Sequence, residues 1–398
     1  MIPALQPIGE RDTLDAMSQR SQAEAPGHAT AAGTRRFAER FAHLPGHFRR
    51  PDDMWLSSLA LGTRNGEPGG VDDLLYRSAV AQLLEGGVNV FVTALSDRMQ
   101  TSERVLGIAL ERAFREGLAA RDEVVVVTKG GTLTIDPDEV RTHIDTRRYL
   151  IETYLDSGLV DPDDIFMGVH CLAPDFLRDQ IRRSLRNLRI ETIDFYLIEE
   201  PELLLRGSDP SEFQRKIHAV FEALEDEVDA GRIGAYGLAS WDGLLRPHTD
   251  RHHLSILELF DWALEVGGAD HHLRAVALPF SLAMAEALKL PTQWVPPGGT
   301  HAILEALRDT GTVVFASTPL AQGRILGDIP SFVADAMPET GSDAERCLQF
   351  VRSTPGITAA VVGMRDPDHI TENLALANHE PASPEVIEDL FKQAETKR

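Results

Sequence analysis

Two short apolar runs that each end in polar residues constrain the fold of this chain more than any other feature. The runs are Val88 to Val92 and Val124 to Val127, and polar residues follow them at Thr93 and at Thr128-Lys129. Such runs are typical of parallel β-strands that are buried on both faces. Packing does not require the polar residues at their carboxyl ends, so we expect those residues to serve the chemistry of a site.

The same unit of strand and helix repeats along the chain. Segments with apolar residues at helical spacing, such as Pro174 to Leu188, separate the predicted strands. About eight strands that alternate with helices predict an α/β fold, a closed (β/α)8 TIM barrel with its active site in the loops at the carboxyl ends of the strands. Because no GxGxxG follows the first strand, a Rossmann sheet is the weaker alternative. The predicted strands are Leu56–Leu61, Val88–Thr93, Val124–Thr128, Ile193–Ile198, Ile233–Ser240, Ala275–Phe280, Thr312–Ser317 and Thr358–Gly363.

Two segments depart from this repeat. Residues 1–45 are rich in Ala, Arg, Glu and Gln without a sustained apolar stripe. We expect them to form an N-terminal extension that is loose or partly helical, with the barrel in residues 46–398. The segment from Thr132 to Met167, after the third strand, is longer than an ordinary connection and contains Pro137 and Gly158. We expect it to be an elaborated loop on the active face.

Charge and composition exclude several classes of partner. The chain has 39 Lys and Arg against 62 Asp and Glu, and its net charge of −23 would repel the phosphates of a nucleic acid. No apolar run approaches the roughly 20 residues of a membrane helix. The first residues carry charges where a signal peptide needs an apolar core, and two cysteines cannot form a disulfide framework. We expect a cytoplasmic, bacterial-type protein that acts on a small molecule, and its oligomeric state stays open.

Motifs such as Leu59-Ala-Leu-Gly-Thr63, Val127-Thr-Lys129 and Pro319-Leu-Ala-Gln-Gly323 occur in colinear order between about Arg36 and Asn378. Together they resemble the motifs of the aldo/keto reductases. The resemblance implies NADPH bound without a Rossmann fold and hydride transfer to a carbonyl. It also implies a tyrosine as general acid, assisted by a lysine, an aspartate and a histidine. The motifs are Leu59-Ala-Leu-Gly-Thr63, Gly87-Val-Asn-Val-Phe91, Thr93-Ala94, Ser102-Glu-Arg-Val-Leu-Gly107, Val127-Thr-Lys129, Ser184-Leu-Arg-Asn-Leu188 before Ile193-Asp194, Gly231-Arg-Ile233 before Tyr236-Gly237, and Pro319-Leu-Ala-Gln-Gly323.

Three of those four catalytic positions are changed in this chain. The resemblance places Val92 where the family has its aspartate, Asp97 where it has its tyrosine, and Glu199, followed by Glu200, where it has its histidine. The lysine is kept as Lys129. We therefore take Lys129, Asp97, Glu199 and Glu200 as the candidate catalytic residues.

The chemistry of these replacements argues against hydride transfer. A phenol with a reference pKa of about 10 can donate a proton to a developing alkoxide, whereas an aspartate with a reference pKa of about 3.9 has normally lost its proton. We expect Lys129 to hold Asp97 ionised, and Glu199 to act as an acid only if burial or a like charge raises its pKa. The added carboxylates favour a cationic or amine-bearing ligand. Alternatively, Asp97 and Glu199 merely neutralise Lys129 in an inactive pocket.

The resemblance also implies a cofactor site, in which this chain retains the phosphate-binding residues better than the nicotinamide-binding ones. Near the nicotinamide this chain offers Ala239, Ser240 and Ala277, of which only Ser240 can form a hydrogen bond through its side chain. We therefore expect a nucleotide-shaped cleft with weak or absent affinity for NADPH. Arginine and a helix amino terminus would suit its phosphates. The candidate cofactor-binding residues are Ser240, Ser317, Pro319, Leu320, Gly323, Arg324, Gly363, Arg365, His369, Glu372 and Asn373.

The remaining candidates line the predicted substrate pocket. His170-Cys171 follows the long loop, and we group it with Arg64, Val92 and Trp241 as pocket residues. A single His-Cys pair lacks the further ligands that zinc requires, so we expect no metal.

Three functions remain open from the sequence. The first is a non-redox acid–base enzyme that catalyses elimination, isomerisation or cyclisation of a small, possibly amine-bearing metabolite in bacterial metabolism. The second is an NADPH-dependent carbonyl oxidoreductase whose missing tyrosine is replaced by Tyr149 or Tyr154 of the long loop. The third is a non-catalytic, reductase-like binding or regulatory protein, which a pocket collapsed by side chains would favour.

Overall fold

Parallel strands close into a barrel in the computed structural model, which describes residues 25–140 and 142–396. Each strand pairs with its neighbours in the same direction, and the last strand pairs with the first, as the predicted (β/α)8 barrel requires. The prediction is confirmed. In order around the barrel, the strands are Leu59–Gly62, Val90–Val92, Val125–Gly130, Ile193–Glu199, Ile233–Ala239, Leu273–Pro279, Val313–Ser317 and Ala359–Val362.

The alternation of side chains along each strand decides which residues face the inside of the barrel. Successive side chains of a strand point to opposite faces, and both faces of this barrel are buried. Val125 and Val127 belong to the interior cluster, so Lys129 continues the same face at the end of its strand. By the same count Glu199 follows Leu197. The other interior residues are Ala60, Val90, Val92, Phe195, Ala235, Ala275, Ala277, Val313, Phe315 and Ala359.

Helices cover the outside of the barrel with their apolar faces. On Pro174–Leu188, Leu177, Ile181 and Leu188 recur at helical spacing and are fully buried. No helix among residues 25–140 and 142–396 is long and apolar enough to span a membrane. The larger outer helices are Gly70–Glu85, Thr101–Glu116, Pro174–Leu188, Pro210–Asp229, Ile256–Gly267, Asp343–Ser353, Pro367–Leu376 and Pro384–Thr396, and the shorter ones are Glu286–Lys289, Ile303–Ala306 and Ser331–Ala336.

The segment before the seventh barrel strand differs from its sequence pattern. The sequence pattern predicts a helix from His301 to Asp309, but only Ile303–Ala306 is helical. The reason is that Gly299–His301 pairs with Gln293–Val295 as an antiparallel hairpin, which fixes His301 in a strand. The Gln293 amide donates to the carbonyls of Leu244 and Leu254 at 2.7 and 3.1 Å, so the hairpin lies beside the loop after the fifth barrel strand.

The described part of the predicted N-terminal extension packs against the amino end of the barrel. Helix Ala31–Arg40 buries Phe37 completely, and the Thr30 hydroxyl caps the helix by accepting from the Gly33 amide. Ala29 joins the interior cluster of the barrel. The sequence alone does not indicate this packing because it depends on contacts with distant strands. Residues 1–24 of the predicted extension lie outside the described residues.

The long insertion after the third strand has a small apolar core of its own. It contains helix His143–Leu150 and a π-helical turn, Ile151–Leu155, where the sequence suggested an irregular loop. Tyr154 is fully buried and packs edge-on against Phe176 of the neighbouring helix. The insertion begins and ends at the barrel mouth, where Thr132 and His170 face each other as an antiparallel bridge.

Candidate active site

A cavity of about 860 Å³ lies at the carboxyl ends of the barrel strands. Loops after most of the strands contribute to it, as expected for a barrel of this kind. It contains the four candidate catalytic residues and ten of the further residues singled out from the sequence. Of these, the cavity is lined by Lys129, Asp97, Glu199, Glu200, Arg64, Val92, His170, Ser240, Trp241, Ser317, Pro319, Leu320, Gly323 and Gly363.

Lys129 stands at the centre of the charged part of this cavity. Among the described residues, no side chain or carbonyl forms a hydrogen bond or ion pair with its ammonium group. Its charge nevertheless acts on Asp97, which lies in the turn after the second strand. An ammonium group without a direct partner at a cavity wall is available to a ligand.

Asp97 is a buried carboxyl whose pKa is raised above its ordinary value. It is 8 % exposed, and this burial raises the pKa of its carboxyl, an effect that outweighs the opposing pull of Lys129. Glu199 raises the pKa further. Lys129 does lower the pKa of Asp97, as expected, but desolvation has the larger and opposite effect. Asp97 becomes the better candidate for a general acid.

The turn that carries Asp97 is held by the residue after it. Arg98 and the next two residues, Met99 and Gln100, have left-handed backbones with φ of 48°, 52° and 67°. Such a run costs energy in residues other than glycine and persists only where surrounding contacts hold it. The Arg98 guanidinium provides such contacts by donating to the Glu67 carbonyl and to Asp73.

Glu199 is clamped by the two ends of the insertion. The Thr132 hydroxyl donates to its carboxylate oxygen Oε2 at 3.0 Å, and His170 Nε2 lies 2.9 Å from its backbone carbonyl. Thr132 was not singled out as a site residue. Its position directly after Gly130-Gly131, at the end of a buried strand, was the signal that could have found it.

His170 has one tautomer fixed by its neighbour. A carbonyl can only accept, so Nε2 carries the proton that is donated to Glu199 and Nδ1 is left as an acceptor. Burial lowers the pKa of the imidazole, which is 3 % exposed and therefore neutral at pH 7. Nδ1 is buried and has no hydrogen-bond partner among the described residues.

Glu200 adds a further carboxyl to the rim of the cavity. Its backbone is left-handed, with φ of 42°, and its amide donates to the Ala239 carbonyl at 2.8 Å. Burial, together with the charges of Glu202 and Glu199, raises the pKa of the Glu200 carboxyl. Arg64, which is exposed, opposes this effect by lowering the pKa of Glu200.

Ser240 lines the cavity, but its hydroxyl is committed elsewhere. It donates to Glu202 Oε1 at 3.0 Å, and the same oxygen accepts from the Trp241 amide at 2.7 Å. Glu202 is 3 % exposed and follows Glu199 and Glu200 in the acidic sequence, which was the signal for it. Ala239 and Ala277 have no polar side-chain group. Among the described residues that were predicted to hold the nicotinamide, no side-chain donor is therefore left for it.

The predicted phosphate-binding residues divide into two groups. Ser317, Pro319, Leu320 and Gly323 line the cavity, whereas Arg324 is exposed and contacts Gln322 at 3.2 Å. The other five predicted residues, at the last loop and helix, share a location away from the charged centre. Of these, Gly363 lines the cavity, Arg365 pairs with Asp72 at 2.8 Å, His369 is exposed, Glu372 accepts from the Ser342 hydroxyl, and Asn373 is buried.

These contacts do not fit the two ends of NADPH. The cation that would meet the adenosine phosphate, Arg365, is already neutralised by Asp72. At the other end, the polar side chain that would hold the nicotinamide, Ser240, is bound to Glu202. The cleft is still lined by residues of Ser317–Gly323, but the side chains that would bind the phosphate and the nicotinamide are already paired.

The insertion contributes neither its cysteine nor a tyrosine to the cavity. Cys171 is fully buried in the apolar core of the insertion, so its assignment to the substrate pocket is wrong. The hydroxyl of Tyr154 donates to the Thr134 carbonyl at 2.6 Å, and that of Tyr149 accepts from Arg183 at 3.3 Å. Neither tyrosine lines the cavity, so the suggested replacement of the catalytic phenol is also wrong.

Within residues 25–140 and 142–396, no group of three or more His, Cys, Asp or Glu side chains has a metal-binding arrangement.

Comparison with known proteins agrees with the fold and the motifs. Residues 58–245 match the model of the aldo/keto reductase family. An aldo/keto reductase from Klebsiella pneumoniae, solved with NADP and acetate, is 19% identical with a TM-score of 0.57, over 88% of this chain and 95% of that one. The glycerol dehydrogenase AKR11B4 from Gluconobacter oxydans is 20% identical with a TM-score of 0.60, over 87% and 96%. At these identities the likeness shows the fold alone.

A curated relative adds a local sequence match. The aldo-keto reductase family 1 member C1 of Macaca fuscata fuscata is 30% identical over 105 residues, which are 23% of this chain and 32% of that protein. The match thus spans about a third of the relative's length. The family model, this local match and the barrel agree that residues 58–245 are similar in sequence to the aldo/keto reductases.

Proposed function

We propose that this protein is an acid–base enzyme that converts a small carbonyl compound without net oxidation or reduction. One observation carries the proposal: a buried carboxyl with a raised pKa, Asp97, lies beside the unpartnered ammonium of Lys129 in an open cavity. A carboxyl whose pKa is raised by burial, placed in a cavity beside a charged partner, is a candidate for acid–base chemistry.

The proposed reaction begins with polarisation of the substrate carbonyl. The Lys129 ammonium and the protonated Asp97 carboxyl both favour negative charge on the carbonyl oxygen, because one supplies a positive charge and the other a hydrogen bond. Glu199, oriented by the Thr132 hydroxyl, accepts the proton from the carbon beside the carbonyl. The C–H bond breaks, its electron pair forms the enol, and the proton resides on the Glu199 carboxylate.

The second half of the reaction returns the proton. Delivery of the same proton to another atom gives isomerisation, and loss of a group from the neighbouring carbon gives elimination. In both cases one proton is removed and one is returned, so no oxidant or reductant is consumed. Attack on the polarised carbonyl by a group of the same molecule would give cyclisation.

NADPH-dependent carbonyl reduction is the second candidate function. It is supported by two solved neighbours from Klebsiella pneumoniae, a reductase in complex with NADP and one in complex with NADPH. Two observations weigh against it in this chain. No tyrosine lines the cavity within the described residues, and the Arg365 and Ser240 side chains are bound to Asp72 and Glu202.

A non-catalytic binding role is supported less well by the shape of the site. A pocket that had lost its chemistry and collapsed would be filled by side chains, whereas this one keeps about 860 Å³. An ion pair between Lys129 and a carboxylate would also favour an inactive site. Lys129 forms no such ion pair within 4 Å among the described residues.

Hydrogen–deuterium exchange at carbon tests the proposed function directly. Small aldehydes and ketones are incubated with the protein in D2O, and loss of the proton signal beside the carbonyl is followed by NMR. We expect exchange above the buffer rate. Lys129→Met should abolish it, and Asp97→Asn should slow it by about 100-fold or more, since positioned acids and bases contribute roughly that factor.

A surface variant and a redox assay complete this experiment. Glu139→Gln changes an exposed carboxylate of the insertion and should leave the exchange rate unchanged. Steady oxidation of NADPH with formation of an alcohol, or unchanged exchange in Lys129→Met, would contradict the proposal.

A further inference from the structure

His170 presents a polar atom that the described protein leaves without a partner. Its ring lines the cavity and is 3 % exposed, and Nε2 is used in the bond to the Glu199 carbonyl. Nδ1 is therefore a lone-pair acceptor that is buried and lacks a donor. A buried acceptor without a donor costs free energy, so the site is suited to a ligand that supplies an N–H or O–H group.

The charges around His170 decide between those donors. Glu199 and Glu202 both act on the imidazole, and Glu200 adds a third carboxyl beside them. Among the nearby cations, Arg64, which opposes Glu200, is exposed, and Arg98 donates through Nε and Nη2 to Asp73 and to the Glu67 carbonyl. A ligand group here meets an excess of negative charge, which attracts a cation and repels a carboxylate or phosphate.

An ammonium group meets both requirements. It carries a positive charge and three donors, so one N–H can reach the Nδ1 acceptor while the others reach carboxylate oxygens. A hydroxyl group has a single donor and no charge. Lys129 and Asp97 are suited to a carbonyl oxygen, whereas His170 and Glu200 are suited to an amine.

We propose that His170 Nδ1, with the carboxylate of Glu200, forms a subsite for the ammonium group of an amine-bearing substrate. The inference rests on the proposed function for the identity of the site as a substrate site. It adds the chemical class of the substrate, a small compound with both a carbonyl and a primary amine. His170 acts here as a specificity-determining residue.

Binding of two inert probes of equal size tests the subsite. Cyclohexylmethylamine and cyclohexylmethanol differ in one ammonium or hydroxyl group, and neither has a carbonyl that could be turned over. Titration calorimetry with the full chain should give an affinity for the amine that is at least about tenfold higher. Each tenfold corresponds to about 1.4 kcal/mol, within the range of a charge-assisted hydrogen bond.

Two variants make the result specific to these residues. His170→Phe keeps a ring of similar size without the acceptor, and Glu200→Gln keeps the shape without the charge. Each should reduce the preference for the amine by about tenfold, whereas Glu139→Gln should preserve it. If His170→Phe fails to fold, Glu200→Gln still decides the question. Equal affinities for the two probes, or a preference unchanged in both variants, would overturn the subsite.

The outcome is separable from that of the exchange experiment. Tight binding of the amine without any exchange at carbon would remove the proposed reaction and keep the ammonium subsite. Exchange of simple ketones without any preference for the amine would keep the reaction and remove the subsite.

Discussion

The two ends of the barrel treat buried charge in opposite ways. At the amino end, Asp194 accepts from Arg121 at 2.9 Å and from two backbone amides, so its carboxylate is fully used. At the carboxyl end, Lys129 has no direct partner in the described residues and Asp97 carries a raised pKa. Paired charges stabilise the fold. A buried charge without a partner lowers stability, and a bound ligand can supply the missing partner. This difference indicates that the carboxyl end is maintained for chemistry.

Breaking the amino-end pair should have the largest effect on stability. Asp194→Asn removes the charge that faces Arg121, whose side chain is 6% exposed, and leaves a buried guanidinium uncompensated. We expect the free energy of unfolding to fall by about 3–5 kcal/mol. Urea unfolding at pH 7, followed by circular dichroism and fluorescence, measures it.

The matched control is a carboxylate at the same end of the barrel that is exposed. Asp122 pairs with Arg36 at 2.6 Å, but its side chain is 38% exposed. Asp122→Asn should therefore cost no more than about 1 kcal/mol. A loss of equal size in both variants would show that burial is not what distinguishes the Asp194 pair.

A buried carboxyl between the two ends gives an intermediate effect that depends on pH. Burial raises the pKa of Glu103 from 4.5 to about 7, against the hydrogen bonds from Thr128 and Asn187. Its folded pKa lies above its unfolded one, so its contribution to stability is complete below about pH 4.5 and is lost as the pH rises through about 7. The lost contribution is up to about 3 kcal/mol.

Glu103→Gln tests this pH dependence because an amide does not titrate. Urea unfolding between pH 5 and 8 should show that the wild type loses more stability over this range than the variant does. Glu116→Gln changes an exposed carboxylate on the same helix and should follow the wild type. Parallel curves for wild type and Glu103→Gln would contradict the raised pKa.

Much of the barrel could be predicted because its strands depend on local patterns. Runs such as Val124 to Val127 indicate strands without any knowledge of their neighbours, and the period of two places Lys129 on the interior face. The same local reasoning failed for His301, where a hairpin partner eight residues earlier, Gln293, competes with the helix.

The sequence predicted which residues line the candidate site better than it predicted their ion pairs and pKa values. The resemblance to the aldo/keto reductases singled out Asp97, Lys129 and Glu199, and all three line one cavity. The pairing of Arg365 with Asp72 joins two ends of the sequence and could not be read from it. The raised pKa of Asp97 likewise depends on burial by surrounding elements, which no local pattern reports.

The smallest expected effect on stability belongs to the residue with the largest expected effect on catalysis. Lys129→Met removes a charge that forms no hydrogen bond or ion pair in the described chain, and the methionine can follow the path of the lysine stem. Without the ammonium, Asp97 loses the attraction that lowers its pKa and keeps its proton more readily. The site thereby neutralises itself, and we expect the free energy of unfolding at pH 7 to change by less than about 1 kcal/mol.

Urea unfolding of Lys129→Met beside Lys216→Met decides whether this residue is structural. Lys216 lies on an outer helix and pairs with Glu212 at 3.2 Å, so its loss should also be small. If Lys129→Met alone destabilised the protein by several kcal/mol, the ammonium would be a partner that the fold needs. The contrast between the two ends of the barrel would then disappear, since both would hold paired charge.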